Sequence, residues 1–365
     1  MSLRLQILTP VFPPAVGGIE ALAQGLADRW PGPVQVLTLQ EQGWAEWDEA
    51  APYPIRRVRN VPRGGRRAMS RLARSAALRT RDFRPDAVLS MHVRCVYASS
   101  VARVLSGAAW LQYYHAKEVP TWIGATRWCA ARSDHGIAVS RYTKTLVEAV
   151  AQPAGPLSIL PPGISAPRLA SAPGQRPTMV TVSRIDDPYK GHDVLLDALP
   201  LIRRRVPDVQ WVVVGDGARL DWLREQVRAR GLADAVQIKG LVGDDARDAL
   251  LASSHVFVLP SRISEDGRSG EGFGIVYAEA AAAGLPVVAA NHGGSLDAVH
   301  DGVTGLLVDP SDARAVANAV IALLTDSGLR GKMAAAGRDW SRQFEWDNVA
   351  ARFQELAHDV TRRVR

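Results

Sequence analysis

EGFGIVYAE, residues Glu271 to Glu279, sets a two-glycine turn and the start of a helical segment between two glutamates. Before it, the strand formers Val256 to Leu259 feed a polar loop, SRISEDGRSG; after it, small residues, AEAAAAG, continue a helical segment. Gly284 suits the position just past a helix end, Pro286 bars continuation, and VVAA resumes a strand. The unit reads as strand, loop, helix, strand, with about five turns of alanine-type packing expected. Glycines at 272 and 274 allow backbone N–H groups at the helix start to approach a ligand closely, and a helix N-terminus favours anions, phosphate above all. One carboxylate, Glu279, is set among alanines, where burial is costly unless donors such as ribose hydroxyls reach it. A plain glycine turn and a solvent-facing acid would fit the same letters, so the pieces gain weight only in combination.

A chain of 365 residues is too long for one ordinary core and suits two middling domains. A hydrophobic content of 47% and a mean hydropathy of −0.05 are those of a soluble globular protein. No apolar run approaches the roughly 20 residues that span a bilayer. The N-terminus opens on a strand, LRLQILTP, without a signal-peptide layout. Cys95 and Cys129 have no metal-type spacing, so a reducing cytoplasm is the expected compartment. Charge is uneven: residues 1–165 hold 20 Lys and Arg against 11 Asp and Glu, the rest 24 against 26. Arg56 to Arg84 contains eleven arginines and one acid, Asp82. Such a surplus points to an anionic surface or substrate.

Strand-like and helix-like runs alternate: LQILTP, IEALAQGLADRW, VQVLTL, then DAVLSM, VYASSVARVLSG, WLQYYH, HGIAVS and SILPPG. The Pro-, Ala- and Ser-rich segment 166–178 reads as a linker, after which the alternation restarts from TMVTVS and runs through GLLV and the helix ARAVANAVIALLTD. This pattern predicts α/β architecture with doubly wound parallel sheets. Two loop cations, Arg184 and Lys190 in SRIDDPYKGHD, follow a strand's carboxyl end, where a guanidinium and an ammonium could grip a diphosphate or simply be solvated. VVVGDGARL holds Gly215 and Gly217 but lacks the third glycine of a dinucleotide fingerprint. His115 ends the strand WLQYYH, and Gly17-Gly18 opens a helix.

The two glutamates of EGFGIVYAE, followed by AGLPVVAANHGG, resemble the signature of the family-4 retaining glycosyltransferases, and the likeness extends over most of the chain in order. The resemblance implies the GT-B architecture, two Rossmann-like domains facing a cleft: an acceptor domain over 1–165 rejoined by the helix at about 346–365, and a nucleotide-sugar donor domain over 179–345. It implies that Arg184 and Lys190 hold the donor diphosphate, that Glu271 supports the donor sugar, and that Glu279 binds the ribose. Donor contacts are implied for Gly215, for Lys239 and Leu241 near the base, and for Gly272, Phe273, Gly274, Ile275 and Val276. In the first domain Gly17 and Gly18 allow close approach, and His115 faces the sugar. The implied reaction is metal-independent transfer from a UDP- or GDP-linked sugar to a glycan, lipid-linked or small-molecule acceptor, with no cofactor and no nucleic acid partner; the chain has no Asp-x-Asp triplet. Asp297 stands near the position of a family glutamate, and Pro162 replaces the asparagine of the usual PNG turn. A nucleotide-sugar epimerase of the same architecture, or a non-catalytic sugar-nucleotide-binding subunit, fits the same letters.

The stretch RGGRRAMSRLARSAALRTRDF places Met69, Leu72, Ala73, Ala76 and Ala77 at helical spacing with Arg66, Arg67, Arg71 and Arg74 interleaved. A solvated surface helix is one reading. Docking on the anionic cytoplasmic face of a membrane is the other, with Trp44 and Trp47 of a polar loop as possible anchors.

Overall fold

The computed structural model describes residues 2–59, 65–165 and 172–365. The chain divides into two compact units, one running up to Gly163 and joined by Trp346–Arg365, the other Ile164–Glu345. Of the expected linker, 166–171 lies outside the described residues.

The first unit is built on seven parallel strands: β1 Leu5–Leu8, β2 Val34–Leu39, β3 Ile55–Val58, β4 Ala87–Ser90, β5 Ala109–Tyr114, β6 His135–Ala138 and β7 Leu157–Ile159. Their order is β3-β2-β1-β4-β5-β6-β7, so the winding reverses between β1 and β4. The second unit repeats the scheme with six: β8 Thr178–Val182, β9 Gln210–Val214, β10 Val236–Gly240, β11 Val256–Leu259, β12 Val287–Ala290 and β13 Gly305–Val308. The order is β10-β9-β8-β11-β12-β13, reversing between β8 and β11. Fully buried runs such as VVAA and VFVL are what parallel strands covered on both faces require. In sheets of this kind ligands bind beyond the carboxyl ends of the strands, at the reversal.

Trp346 anchors the returning C-terminal helix. A Cβ at Gly25 would lie 2.2 Å from its indole, and one at Gly163 2.3 Å. Glycine inside the helix Gly18–Asp28 costs about 1 kcal/mol against alanine; here it makes room for a large ring that is 9% exposed.

Several expectations are corrected. The helix after the EGFG turn is Ile275–Ala282, eight residues and little over two turns, not five, and Gly284 follows it at φ 83°. Trp44 and Trp47 lie in a helix, Trp44–Ala50, rather than a loop. The basic stretch begins with a strand, β3, whose sequence IRRV hides it. Arg57 is not a solvated cation: its side chain is 1% exposed, paired with Asp48 at 2.9 Å, and donates to the Pro13 and Leu39 carbonyls. It thus ties the loop before Gly17 to β2 and β3.

Candidate functional site

In the second unit the site grows from the loop that leaves β8. Gly215 and Gly217 pack against it: a Cβ at Gly215 would sit 1.8 Å from the Ser183 carbonyl oxygen, and one at Gly217 would meet Asp186 Oδ1 at 2.4 Å. Both have positive φ, so only glycine lets the turn after β9 close on this loop. Asp186 Oδ1 accepts the Ala218 N–H at 2.9 Å, and the Ile185 carbonyl accepts the Arg219 N–H. The loop backbone is therefore held while the Arg184 side chain stays free to reach outward, 68% exposed and 3.8 Å from Asp186.

Lys190 has the opposite surroundings. It ends a short 3-10 turn, Pro188–Lys190, and Gly191 follows with φ 78° and room for no side chain, since a Cβ would lie 2.3 Å from the Pro260 carbonyl. Behind it, buried His192 sits 3.1 Å from Ser183 Oγ. Burial, helped by the Lys190 charge, lowers the His192 pKa to about 4 and keeps the ring neutral. The Lys190 ammonium meets Glu271 Oε2 at 2.7 Å, with both side chains mostly buried. Burial would pull the lysine pKa down, but the Glu271 carboxylate outweighs it and holds the ammonium charged, well above its ordinary value. Ser261 Oγ lies 3.4 Å from the same carboxylate oxygen. Arg262 pairs with Asp193 at 2.8 Å and donates its N–H to the Tyr189 carbonyl, which fastens the long loop after β11 to the Lys190 turn.

The EGFG turn is held from three sides. Gly274 caps the helix Ile275–Ala282 at φ 87° without a capping side chain, so its first-turn N–H groups have no such partner. Phe273 is 3% exposed and packs edge-on to Phe344, ring centroids 5.1 Å apart. The Glu271 carbonyl accepts the Gly294 N–H at 2.8 Å. Tyr277 donates its hydroxyl to the Leu259 carbonyl, tying the helix to β11. Glu279, on that helix, has its pKa raised by burial, with Arg247 opposing. Lys239 and Leu241 are exposed at the carboxyl end of β10, around Gly240 with φ 70°.

In the first unit, Gly17 is extended and precedes the helix beginning at Gly18; the nearest atoms to a Cβ there would be the carboxylate end of the Glu20 side chain. His115 leaves β5 with its ring stacked on Tyr113 and Nε2 2.8 Å from the Met91 carbonyl. Burial lowers its pKa to about 4.

The structure therefore brings Lys190 and Glu271 into one pair and leaves Arg184 exposed at the start of the same loop that carries Lys190. Reasoning from motifs missed Ser261, Tyr277, His192 and the Gly293-Gly294 pair; the repeated glycines of NHGG were the available signal for the last.

Comparison with known proteins matches this arrangement. The family Glycosyltransferase Family 4 matches residues 16–168, and Glycosyl transferases group 1 matches residues 168–340. The GDP-mannose-dependent alpha-(1-6)-phosphatidylinositol monomannoside mannosyltransferase of Mycobacterium tuberculosis is 35% identical over 97% of each chain. The phosphatidyl-myo-inositol mannosyltransferase of Mycobacterium leprae is 38% identical over 54% of this chain and 50% of its own. Among solved structures, Anabaena HepE in complex with UDP and glucose superposes with a TM-score of 0.82 at 20% identity, covering 98% of this chain and 100% of that one. Sucrose-phosphate synthase from Thermosynechococcus elongatus gives 0.83 at 21%, covering 98% and 99%. The paired sheets and the full-length match together mean that the chain belongs to the family-4 glycosyltransferases of the GT-B architecture.

Proposed function

We propose that the protein transfers mannose from GDP-mannose to a phosphatidylinositol mannoside, with retention of configuration and without a metal ion. The observation that carries this reading is the 35% identity to a mannosyltransferase of that specificity across 97% of both chains. The site supports it chemically. Lys190, Arg184 and the uncapped N–H groups at Ile275 and Val276 supply fixed positive charge for a departing diphosphate. Incubation with GDP-[14C]mannose and phosphatidylinositol monomannoside in EDTA, followed by NMR of the new linkage, tests it. An α-linked dimannoside is expected. A β linkage, dependence on added divalent metal, or a new sugar nucleotide formed without acceptor would each refute a named part of the reading.

Glu279 is assigned to the donor ribose. Its carboxylate is disfavoured by burial and only partly compensated by Arg247, so hydroxyl donors from a ligand would satisfy it. Glu279→Ala is expected to weaken GDP binding by about 1–3 kcal/mol while leaving folding stability equal or higher. Calorimetry with GDP checks this, and unchanged affinity would remove the assignment.

The first unit offers a surface for a lipid-borne acceptor. Arg66, Arg67, Arg71 and Arg74 are exposed on the helix Gly65–Phe83, whose other face buries Met69 and Leu72. Tyr97, on the helix Val96–Ser106 that packs against this one, is exposed, as are Trp122, Ile123 and Trp128 further along the chain. Arg94 stacks over Trp122 and Arg132 over Trp128. Between Asp86 and Asp134 the sequence has one acid, Glu118, and it is buried. Aromatic rings beside unopposed arginines suit an anionic interface. Among the described residues no helix is long and apolar enough to cross a membrane. Sedimentation with phosphatidylinositol-containing vesicles is expected to fall as salt rises, and to fall further when the four helix arginines are replaced by glutamine. Binding to neutral vesicles alone, or indifference to those changes, would point to a soluble acceptor.

A further inference from the structure

The first unit contains a buried polar cluster that the donor site does not use. Arg94 N–H lies 3.0 Å from His92 Nδ1, and a backbone N–H can only donate, so Nδ1 accepts. The ring proton of neutral His92 is therefore on Nε2, which points at Glu118 Oε2 from 3.0 Å. The other carboxylate oxygen, Oε1, accepts the His115 backbone N–H at 3.3 Å, and the Val93 backbone contributes a further bond. His115 Nε2 lies 2.8 Å from the Met91 carbonyl, which can only accept, so that nitrogen carries its proton and Nδ1 keeps its lone pair. Burial pulls both rings down, His92 to about 3 and His115 to about 4, so each is neutral near pH 7. Burial also pushes Glu118 up to about 8, against the N–H groups that face it. Every neighbour described around that carboxyl is a donor, so the carboxylate is the form that satisfies the site.

We infer that Glu118 and His92 are positioning residues whose hydrogen bonds fix His115 in the single tautomer that offers Nδ1 as an acceptor. Glu118 bridges two loops, holding the one that leaves β4 through the His92 ring and the one that leaves β5 through the His115 N–H. Met91 is the residue before His92, so this bridge also sets where the Met91 carbonyl stands, and that carbonyl selects the His115 proton position. The backbone on the far side is held too: the His115 carbonyl accepts from Thr143 Oγ1 at 3.5 Å. A ring so fixed can accept a hydrogen bond from a sugar hydroxyl but cannot donate one through Nδ1. The inference rests on the reading of His115 as the sugar-facing group.

The test uses the full chain labelled with [15N]histidine, with His115 signals assigned by their loss in His115→Ala. The wild-type His115 nitrogens are expected to be widely split, with Nε2 protonated, and constant from about pH 6 to 8. Glu118→Gln leaves one amide oxygen for several donors. Its His115 signals should show mixed tautomers, and kcat with GDP-mannose should fall about tenfold to a hundredfold, with KM changed by no more than about threefold. His92→Gln keeps an acceptor and a donor at similar volume and should transfer about tenfold faster than His92→Leu, which keeps neither. Wild-type His115 signals and kcat in Glu118→Gln, or equal rates for Gln and Leu at 92, would overturn the inference. Undiminished transfer by His115→Ala, with the NMR pattern as expected, would overturn the sugar-facing reading instead.

Discussion

Lys190→Ala is expected to lower sugar transfer by about a hundredfold or more, the scale of losing one fixed cation at a developing negative charge. It should also destabilise the fold, which sets it apart from Arg184→Ala. The Lys190 ammonium is bonded to Glu271 at 2.7 Å, and the two side chains are only 12% and 14% exposed. Removing the lysine leaves a mostly buried carboxylate with the Ser261 hydroxyl 3.4 Å away. Such a group costs about 1–3 kcal/mol, short of the ~3–5 kcal/mol seen when a fully enclosed pair is broken. Arg184 is exposed and only loosely paired with Asp186, so its loss should reduce transfer with the melting temperature almost unmoved. The double variant Lys190→Ala with Glu271→Ala separates the two effects, because removing both charges relieves the burial penalty but cannot return the cation. Stability should recover in the double variant while transfer stays low. If Lys190→Ala transfers within a few-fold of wild type, the diphosphate grip lies elsewhere. If the double variant is no more stable than the single one, the pair has no structural share.

The parts of this molecule that could be read from its sequence are those that obey local rules. Buried parallel strands announce themselves as short apolar runs, and β11 and β12 were visible because VFVL and VVAA need no partner to be recognised. β3 was hidden because IRRV looks like a charged surface segment; one of its arginines is buried only because Asp48 and two carbonyls arrive from elsewhere in the chain. The same limit governs the site. Lys190 and Glu271 were each legible from motif and position, but their pairing joins residues 81 positions apart and depends on a loop fastened by Arg262 and Asp193. His92 and Glu118 carried no motif, and their roles follow from which nitrogen faces which carbonyl or carboxylate. The stop of the helix Ile275–Ala282 at Gly284 was legible in the sequence, and at about 3.6 residues per turn the span between Gly274 and Gly284 leaves room for under three turns, so the five-turn expectation failed on length alone.

Gly294→Ala is expected to abolish most transfer while leaving the chain folded, and it is the sharper of two neighbouring glycine tests. Gly294 has φ −70° and ψ −13°, a conformation alanine adopts freely, so no backbone strain accompanies the change. The added methyl would instead lie 2.2 Å from the Gly272 carbonyl oxygen and 2.5 Å from the Phe273 nitrogen. These are backbone atoms of the EGFG turn, and they cannot swing aside as a side-chain tip can. The turn is also pinned by Phe273 against Phe344, so relief must come from displacing the Gly272–Gly274 backbone or the loop that carries Gly294. A displacement near 1 Å at groups that position a reacting centre costs about a hundredfold in rate. Gly293→Ala is the counterpart: φ 69° strains any other residue, but its Cβ would be 3.3 Å from the Glu271 carbonyl, a contact that a small shift accommodates. That variant should lose about 1–2 kcal/mol of stability and keep much of its activity. Melting temperature, GDP affinity and turnover measured on both variants would decide between steric displacement and backbone strain. Should Gly294→Ala bind GDP and transfer mannose as wild type does, the EGFG turn would not be a rigid part of the proposed donor site.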